Sequence, residues 1–208
     1  MNLWGRVFAA MYDRLMADSE AAGLGQRRDA LLAQARGSVI ELGAGTGVNL
    51  AHYPASGIEE LVLVEPEEPM ARRLELRLAE SALPARVLRA PAEALPLPDA
   101  SFEVAVCTLV LCTVRDQTKA LAELRRVLKP DGRLLFLEHV RSEDPQLAKW
   151  QDRLRPLWVR CGHGCQCNRR TAEALSASGF EVRELEHARI PKAPKIVRPL
   201  IVGVAQRA

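Results

Sequence analysis

The sequence predicts an α/β fold, with a mostly parallel sheet of seven strands and helices on both faces of the sheet. Two observations support this prediction. Short apolar runs alternate with helical patterns along most of the 208 residues, and such alternation is typical of a parallel sheet wrapped by helices. The first apolar run also leads directly into a loop with glycine at every second position, which is a strand-to-helix turn.

Each element follows from a local pattern of apolar spacing bounded by turn residues. The predicted strands are 38–42, 60–65, 85–89, 102–107, 132–139, 180–187 and 199–207. The predicted helices are 6–18, 24–36, 46–53, 67–82, 116–128, 145–160 and 169–178. The last two strands are close enough in sequence for the sheet to end in an antiparallel pair, and the Pro-rich stretch 190–199 reads as a surface loop before the final strand.

The glycine loop is the clearest functional motif. It follows strand 38–42 and contains Gly43, Gly45 and Gly47. Glycine tolerates positive φ and lets a ligand approach the backbone, so a side chain at these positions should block that approach. The spacing differs from the G-x-G-x-x-G of dinucleotide-binding folds, and the acidic Glu41 lies within the strand. An acid there suits a cationic ligand better than a diphosphate.

A second acid follows the second strand. Glu65 ends the apolar run 61–64 and precedes Pro66. A carboxylate at this strand tip can accept both hydroxyls of a ribose in a nucleotide-binding α/β sheet. Either feature alone is ordinary, but together and in this order they predict a nucleoside-containing ligand.

These motifs resemble those of class I S-adenosylmethionine-dependent methyltransferases. Segment 99–107, DASFEVAVC, is similar to the fourth strand of that family with its lead-in turn, and 128–134, LKPDGRL, is similar to the turn before its fifth strand. The likeness covers roughly residues 38–140. It implies a Rossmann-like class I methyltransferase fold, with S-adenosyl-L-methionine as cofactor and a terminal antiparallel strand.

A closer resemblance concerns the acceptor. Segments 107–114, 136–140 and 195–203 are similar to the alkyl thiol methyltransferase group and its bacterial relatives. This likeness favours S-methylation of a small, lipophilic thiol. Phospholipid and quinone-precursor acceptors remain open, and so does a non-catalytic protein that binds cofactor or metal.

The resemblance also implies a set of cofactor-binding residues. Pro91 stands where many relatives have an aspartate that contacts adenine, so the resemblance leaves adenine recognition to the backbone atoms of Ala92 and to Glu93. A solvated loop acid is an equal alternative for Glu93. The full predicted set is Glu41, Gly43, Ala44, Gly45, Gly47, Asn49, Glu65, Pro66, Met70, Ala92, Glu93 and Cys107.

His139 and Thr108 are the candidate catalytic residues, because each follows a strand at the edge where the acceptor should bind. A structural role for His139 is an equal alternative. Tyr12, Cys112 and Cys165 are the candidates on the substrate side. A thiol acceptor is already partly ionised near neutral pH, so a dedicated base is not required.

Cysteine and histidine are dense in the segment 161–167, CGHGCQC. Four soft ligands in seven residues could bind zinc, but the usual C-x2-C spacing is absent. We therefore predict a substrate-side loop without a metal site there, with adventitious metal binding or a redox-labile thiol pair as the minor alternatives.

Composition excludes several classes of protein. The length fits a single methyltransferase domain over residues 1–208, in which 1–36 form N-terminal lid helices. The net charge of +3 and the scattered Lys and Arg do not indicate nucleic-acid binding. No apolar run could span a bilayer, and a cytoplasmic location is expected. The apolar face of the first helix, which includes Trp4, Phe8 and Tyr12, leaves weak contact with a membrane surface as the less favoured alternative to a lid.

Overall fold

The computed structural model describes residues 3–208, with side chains from Gly5 onwards. The expected apolar contribution of Trp4 lies outside these described side chains. Within residues 3–208, no helix combines the length and the apolar character that a bilayer crossing requires.

Seven strands form one sheet. They are β1 (Gly37–Leu42), β2 (Ile58–Val64), β3 (Ala85–Leu88), β4 (Phe102–Thr108), β5 (Leu128–His139), β6 (Phe180–Arg189) and β7 (Pro199–Arg207). Their order across the sheet is β3-β2-β1-β4-β5-β7-β6. The first five strands pair in parallel, and β7 is antiparallel to both β5 and β6. The predicted mostly parallel sheet with a terminal antiparallel strand is confirmed.

Six α-helices flank the sheet. They are α1 (Leu3–Ser19), α2 (Gly25–Leu32), α3 (Glu68–Leu78), α4 (Gln117–Val127), α5 (Pro145–Cys161) and α6 (Thr171–Ala177). A π-helical segment, Glu20–Leu24, joins α1 to α2 with a kink at Gly23, where φ is 128°. Asp116 and Asp144 cap α4 and α5, because each carboxylate accepts a hydrogen bond from a backbone N–H in the first turn.

One predicted element is wrong. The expected helix 46–53 is reduced to a single 3₁₀ turn, Val48–Ala51. Gly47 before it has a φ of 86° and is left-handed. Pro54 after it disfavours the helical conformation at Tyr53. Too few residues remain between these two breaks for an α-helix to form.

The strands of the sheet centre are buried on both faces, as parallel strands covered by helices should be. Ile40 and Val62 pack in one core with residues of α4 and α6. Their neighbours Val39 and Leu61 pack in a second core with residues of α2 and α3. Helices therefore cover both faces, and the carboxyl ends of the strands are left to form the site.

Candidate active site

The predicted site residues gather at the carboxyl ends of β1, β2, β4 and β5. The chain order of the strands reverses between β1 and β4, which lie side by side in the sheet. In open α/β sheets a crevice forms at such a reversal, because the connections leave the two strands in opposite directions. The predicted site residues lie around this crevice.

The three glycines of the loop differ in how closely other atoms surround them. All have positive φ, at 63° for Gly43, 58° for Gly45 and 86° for Gly47. A Cβ on Gly43 would lie 2.2 Å from Cγ2 of Val110, and one on Gly47 would lie 2.8 Å from Cδ1 of Leu74. Contacts within the protein therefore also disfavour a side chain at these two positions, in addition to the predicted approach of a ligand.

Gly45 is the glycine with free space beside it. A Cβ at this position would find its nearest heavy atom, the carbonyl oxygen of Gly43, 4.0 Å away. The backbone at Gly45 thus presents an open surface that a bound molecule could cover. Ala44 lies beneath it, anchored by a 2.9 Å hydrogen bond from its N–H to the carbonyl of Val64.

Glu65 lies directly against this surface. Its Oε2 accepts from the Gly45 N–H at 2.8 Å, and its Oε1 accepts from the Glu67 N–H at 2.9 Å. Burial raises the pKa of this carboxyl to about 7, despite the two backbone donors that act in the opposite direction. Of its expected neighbours, Met70 is buried and Pro66 is exposed.

Glu41 is engaged within the protein rather than open to the crevice. One oxygen accepts from Nδ2 of Asn49 at 2.8 Å, and the other accepts from the hydroxyl of Tyr53 at 2.7 Å. Burial raises the pKa of Glu41. Both oxygens of Glu41 therefore help to fix Asn49 and Tyr53 below the glycine loop.

Arg28 completes this network and was missed by sequence reasoning. Its guanidinium is buried and donates to Oδ1 of Asn49 at 2.7 Å and to Oγ1 of Thr108 at 2.9 Å. It also forms an ion pair with Glu20 at 3.0 Å. Thr108 Oγ1 accepts from Asn49 as well. Thr108 therefore belongs to the same buried network, and Arg28 ties the N-terminal helices to the ends of β1 and β4.

Three of the predicted cofactor residues also make contacts within the protein. Glu93 is half-buried and accepts from the backbone N–H of Asp116 at 3.0 Å, so it holds its own loop against the start of α4. Cys107 is fully buried in the apolar core, where burial raises the pKa of its thiol well above its usual value. Ala92 is buried in the same core. The side chain of Cys107 is thus a packing residue.

The acceptor side is lined by neutral and soft groups. Nε2 of His139 lies 3.1 Å from Sγ of Cys165. Burial lowers the pKa of His139 to about 4, so the imidazole is neutral near pH 7. Burial raises the pKa of Cys112, whereas a hydrogen bond with Cys112 lowers that of Cys165. Tyr12 is half-buried nearby, and burial raises its pKa to about 12.

The cysteine and histidine side chains of segment 161–167 have different surroundings. Cys161 is exposed, and the ring of His163 stacks on Phe8 with centroids 4.7 Å apart. Cys165 and Cys167 are buried. The structure instead brings Cys165 together with residues that are distant in sequence, because Cys112, His139 and Cys165 have their ligand atoms within 4.8 Å of one another.

Glu138 is a second residue that the sequence did not single out. Its Oε1 accepts from the backbone N–H groups of Val110 and Leu111, both at 2.9 Å. Within the described part of the chain its Oε2 is buried without a hydrogen-bond partner. Burial raises the pKa of this carboxyl to about 7. Glu138 thus fixes the turn that follows β4 and leads to Cys112.

The first helix lies against the glycine loop. Asp13 of α1 accepts from Oγ1 of Thr46 at 2.6 Å and pairs with Arg77 of α3 at 2.6 Å. On the expected apolar face of α1, Met11 and Leu15 are exposed, whereas Tyr12 and Met16 are partly buried. The helix therefore contacts the site with only part of the predicted face.

A surface groove of about 630 Å³ lies elsewhere, between α2 and the β6–β7 end of the sheet. Its lining includes Arg27 and Glu186, which form an exposed ion pair, and includes none of the predicted site residues. We place the chemistry at the glycine loop, because the groove does not gather reactive groups.

Comparison with known proteins gives matches in one family of enzymes. Residues 40–136 match a family described as "Methyltransferase domain". Human "Thiol S-methyltransferase TMT1A" is 31% identical over 202 residues, which are 95% of this chain and 82% of that protein. The "Ubiquinone/menaquinone biosynthesis C-methyltransferase UbiE" of Burkholderia mallei is 36% identical over 144 residues, 66% of this chain and 59% of that protein. A solved methyltransferase structure from Thermotoga maritima superposes with a TM-score of 0.71 at 23% identity, covering 98% of both chains.

Proposed function

Because the chain belongs to the class I S-adenosylmethionine-dependent methyltransferases, we propose that its acceptor is a small, lipophilic thiol. One observation supports this acceptor most directly. The likeness to a thiol S-methyltransferase extends over 95% of the chain, whereas the likeness to a quinone-pathway C-methyltransferase covers 66%. The longer match takes in sequence outside the shared domain at 40–136, including the predicted acceptor-side residues Tyr12, His139 and Cys165.

The cofactor fits the open surface at Gly45. When bound, S-adenosylmethionine supplies a methyl carbon on a positively charged sulfur. In this proposal Glu65 accepts the ribose hydroxyls, Met70 and Pro66 flank the adenine, and the backbone of residues 43–47 supports the methionine part. Asn49 and Glu41 hold the loop in place from below. The free space beside Gly45, 4.0 Å to the nearest heavy atom, supports this placement.

The acceptor side suits a thiol because it needs alignment more than proton transfer. A thiolate is strongly nucleophilic, and a small fraction of a thiol is ionised near pH 7. Burial lowers the pKa of His139 to about 4, so the neutral imidazole is a weak base and its role in this proposal is to position the acceptor. Thr108 acts as a positioning residue in this proposal, because its hydroxyl oxygen already accepts from Arg28 and Asn49. Correct placement of the reacting atoms can supply roughly 7–11 kcal/mol.

We further propose that residues 1–208 act as one domain, in which α1 is a lid. The contacts of Asp13 with Thr46 and Arg77 support this role, since they join α1 to both sides of the glycine loop. A cytoplasmic location is the companion proposal. All five cysteines are free thiols, as expected in a reducing compartment.

The deciding experiment measures S-adenosylhomocysteine formation with matched acceptors, namely hexanethiol, hexylamine, a phenol and a phosphatidylethanolamine. Turnover with the thiol alone is the expected result. Turnover confined to the amine, the phenol or the lipid would overturn the thiol assignment. Cofactor binding without turnover on any acceptor would favour the non-catalytic alternative.

A variant at His139 separates its two roles. His139→Ala should reduce turnover while cofactor affinity, measured by calorimetry, stays near that of the wild type. Loss of folding or of cofactor binding would instead show that His139 is structural. Exposed His187, half of whose side chain is accessible, provides the matched histidine control.

A further inference from the structure

Three soft ligands from separate parts of the chain converge beside the candidate site. Cys112 lies in the turn after β4, His139 ends β5, and Cys165 lies in the loop after α5. A sulfur from each cysteine and a ring nitrogen of the histidine lie within 4.8 Å of one another, and all three residues are buried. In a tetrahedral zinc site with Zn–S near 2.3 Å and Zn–N near 2.0 Å, ligand atoms stand ~3.5–3.8 Å apart. The cluster brackets that spacing, since the Nε2–Sγ distance between His139 and Cys165 is 3.1 Å and no pair of ligand atoms is more than 4.8 Å apart.

The backbone around these ligands is held firmly. The Gln166 N–H donates to the carbonyl of Cys112 at 2.8 Å, which fixes the two cysteine-bearing segments to each other. Arg169 donates to the carbonyls of Leu111 and Val114 on either side of Cys112. A preformed set of donors on rigid backbone is what a specific metal site requires.

The surroundings also match those of metal ligands. Nε1 of Trp158 donates to Sγ of Cys165 at 3.1 Å, and a hydrogen bond of this kind orients a thiolate that binds a metal. His139 is more than nine-tenths buried, and within residues 3–208 its Nδ1 has no hydrogen-bond partner. Nε2 faces Sγ of Cys165 at 3.1 Å and is the ring nitrogen placed to bind a metal, whereas Nδ1 is left available as a donor on the opposite side of the ring.

We propose that Cys112, His139 and Cys165 form a buried site for a soft divalent metal ion of the zinc class, with the fourth position open to the acceptor. Two thiolates, a neutral imidazole and a divalent cation sum to zero charge, which lowers the cost of burial. Two-cysteine, one-histidine sites with an open position are an established arrangement for zinc that binds a substrate. This site differs from the sequence cluster 161–167, of which it uses Cys165 alone.

The chemistry of the open position rests on the proposed thiol acceptor. The acceptor sulfur displaces a water molecule from the metal, its S–H bond breaks, and the proton passes to solvent as the metal–sulfur bond forms. The bound sulfur retains a lone pair for attack on a methyl carbon. A thioether product carries no charge and is a weak ligand, so it leaves the metal readily. The site would thereby raise the thiolate fraction without a dedicated base.

The first test is metal content. The purified full chain is reconstituted with zinc chloride, desalted and assayed by mass spectrometry, and cobalt(II) is bound in parallel to follow its thiolate absorption. One zinc per chain is expected for the wild type, with loss of that zinc in Cys112→Ser, Cys165→Ser and His139→Gln. Cys161→Ser is the control that should keep the metal, because Cys161 is exposed.

Two results would overturn the metal site. One is a wild-type chain that retains neither zinc nor cobalt, and the other is a Cys161→Ser variant that loses as much metal as the three site variants. Calorimetry with S-adenosylmethionine shows whether each variant is folded. The cobalt spectrum of the wild type reports thiolate ligation directly, so the test stands even where a cysteine variant fails to fold.

The second test separates this site from the proposed function. Hexanethiol added to the cobalt form should shift the absorption, and hexanol should not. Metal binding with no shift would overturn the open position. Thiol turnover by a metal-free chain would overturn the role of the metal site in binding the acceptor and leave the proposed thiol acceptor standing. A spectral shift without thiol turnover would overturn the proposed function and leave the metal site standing.

Discussion

The backbone N–H of Gly45 donates a 2.8 Å hydrogen bond to Oε2 of Glu65. This contact joins the two motifs that the sequence marks most clearly, although twenty residues separate them. The loop after β1 and the tip of β2 therefore form a single surface. A ligand that binds there contacts an open backbone on one side and a carboxylate on the other.

Gly45→Val should abolish S-adenosylmethionine binding while the protein still folds. A valine Cβ has free space within the protein but occupies the surface reserved for the ligand, and the left-handed φ costs about 1–2 kcal/mol. Gly57→Val is the matched control, because Gly57 has a φ of 92° and no neighbour within 4 Å of its Cβ position. Calorimetry should show normal affinity in the control. Normal affinity in Gly45→Val would place the cofactor elsewhere.

Glu65→Ala should weaken cofactor binding by roughly 1.5–3 kcal/mol, about 10- to 150-fold, since it removes charged hydrogen bonds. The matched control is Glu60→Ala. Glu60 lies on β2, the strand that ends just before Glu65, and its exposed carboxylate pairs with Arg86. Titration calorimetry of both variants decides the point. Equal affinities in the two variants would contradict the role of Glu65.

Glu65 should also make the stability of the ligand-free protein depend on pH. Its pKa is raised by burial to about 7 in the folded state, against an ordinary value near 4.5 in the unfolded chain. Between these values the folded state holds more protons, so its free energy of unfolding falls as pH rises from about 4.5 to 7 and then levels off. Burial of the charged form should cost roughly 3 kcal/mol at pH 8.

Glu65→Gln should remove this part of the pH dependence. Urea unfolding of wild type and variant at pH 5 and pH 8 measures this dependence. The free energy of unfolding of the variant, relative to that of the wild type, should be higher at pH 8 than at pH 5. A constant difference across pH would mean that the carboxyl keeps an ordinary pKa in the fold.

Arg28→Met should destabilise the protein by about 3 kcal/mol, because Glu20 and the amide oxygen of Asn49 would lose a buried cationic partner. Arg27→Met is the neighbouring control. Arg27 pairs with Glu186 in solvent, where such a pair contributes less than about 1 kcal/mol. Urea unfolding at pH 7 distinguishes them, and equal losses would argue against the buried network.

Sequence reasoning reached the fold, the family and its cofactor because their signals are local. The alternation of strands and helices, the glycine loop and the acid at Glu65 can all be read in short windows, and the structure and the comparisons confirm that class of fold and enzyme. The helix expected at 46–53 failed for a local reason as well, since the left-handed Gly47 and the nearby Pro54 had not been weighed together.

The rest of the site depends on contacts between distant residues. Arg28 looks like any charged residue in a helix until the fold places it against Asn49 and Thr108, 21 and 80 positions away. His139 and Cys165 meet across 26 positions. The cysteines and histidine of segment 161–167 are close in sequence, but Cys165 contacts residues outside that segment. Sequence proximity says little about which sulfur atoms converge in the fold.

The position of β7 has a consequence for how the chain folds. Residues 199–207 fill the gap between β5 and β6, so the latest strand in chain order is an interior strand of the sheet. Until it inserts, β6 has no partner in the sheet and the edge of β5 is bare, exposing hydrogen-bonding groups that invite pairing between chains. Assembly of this half of the molecule must therefore wait for its final segment, and a chain shortened before residue 199 should aggregate during refolding.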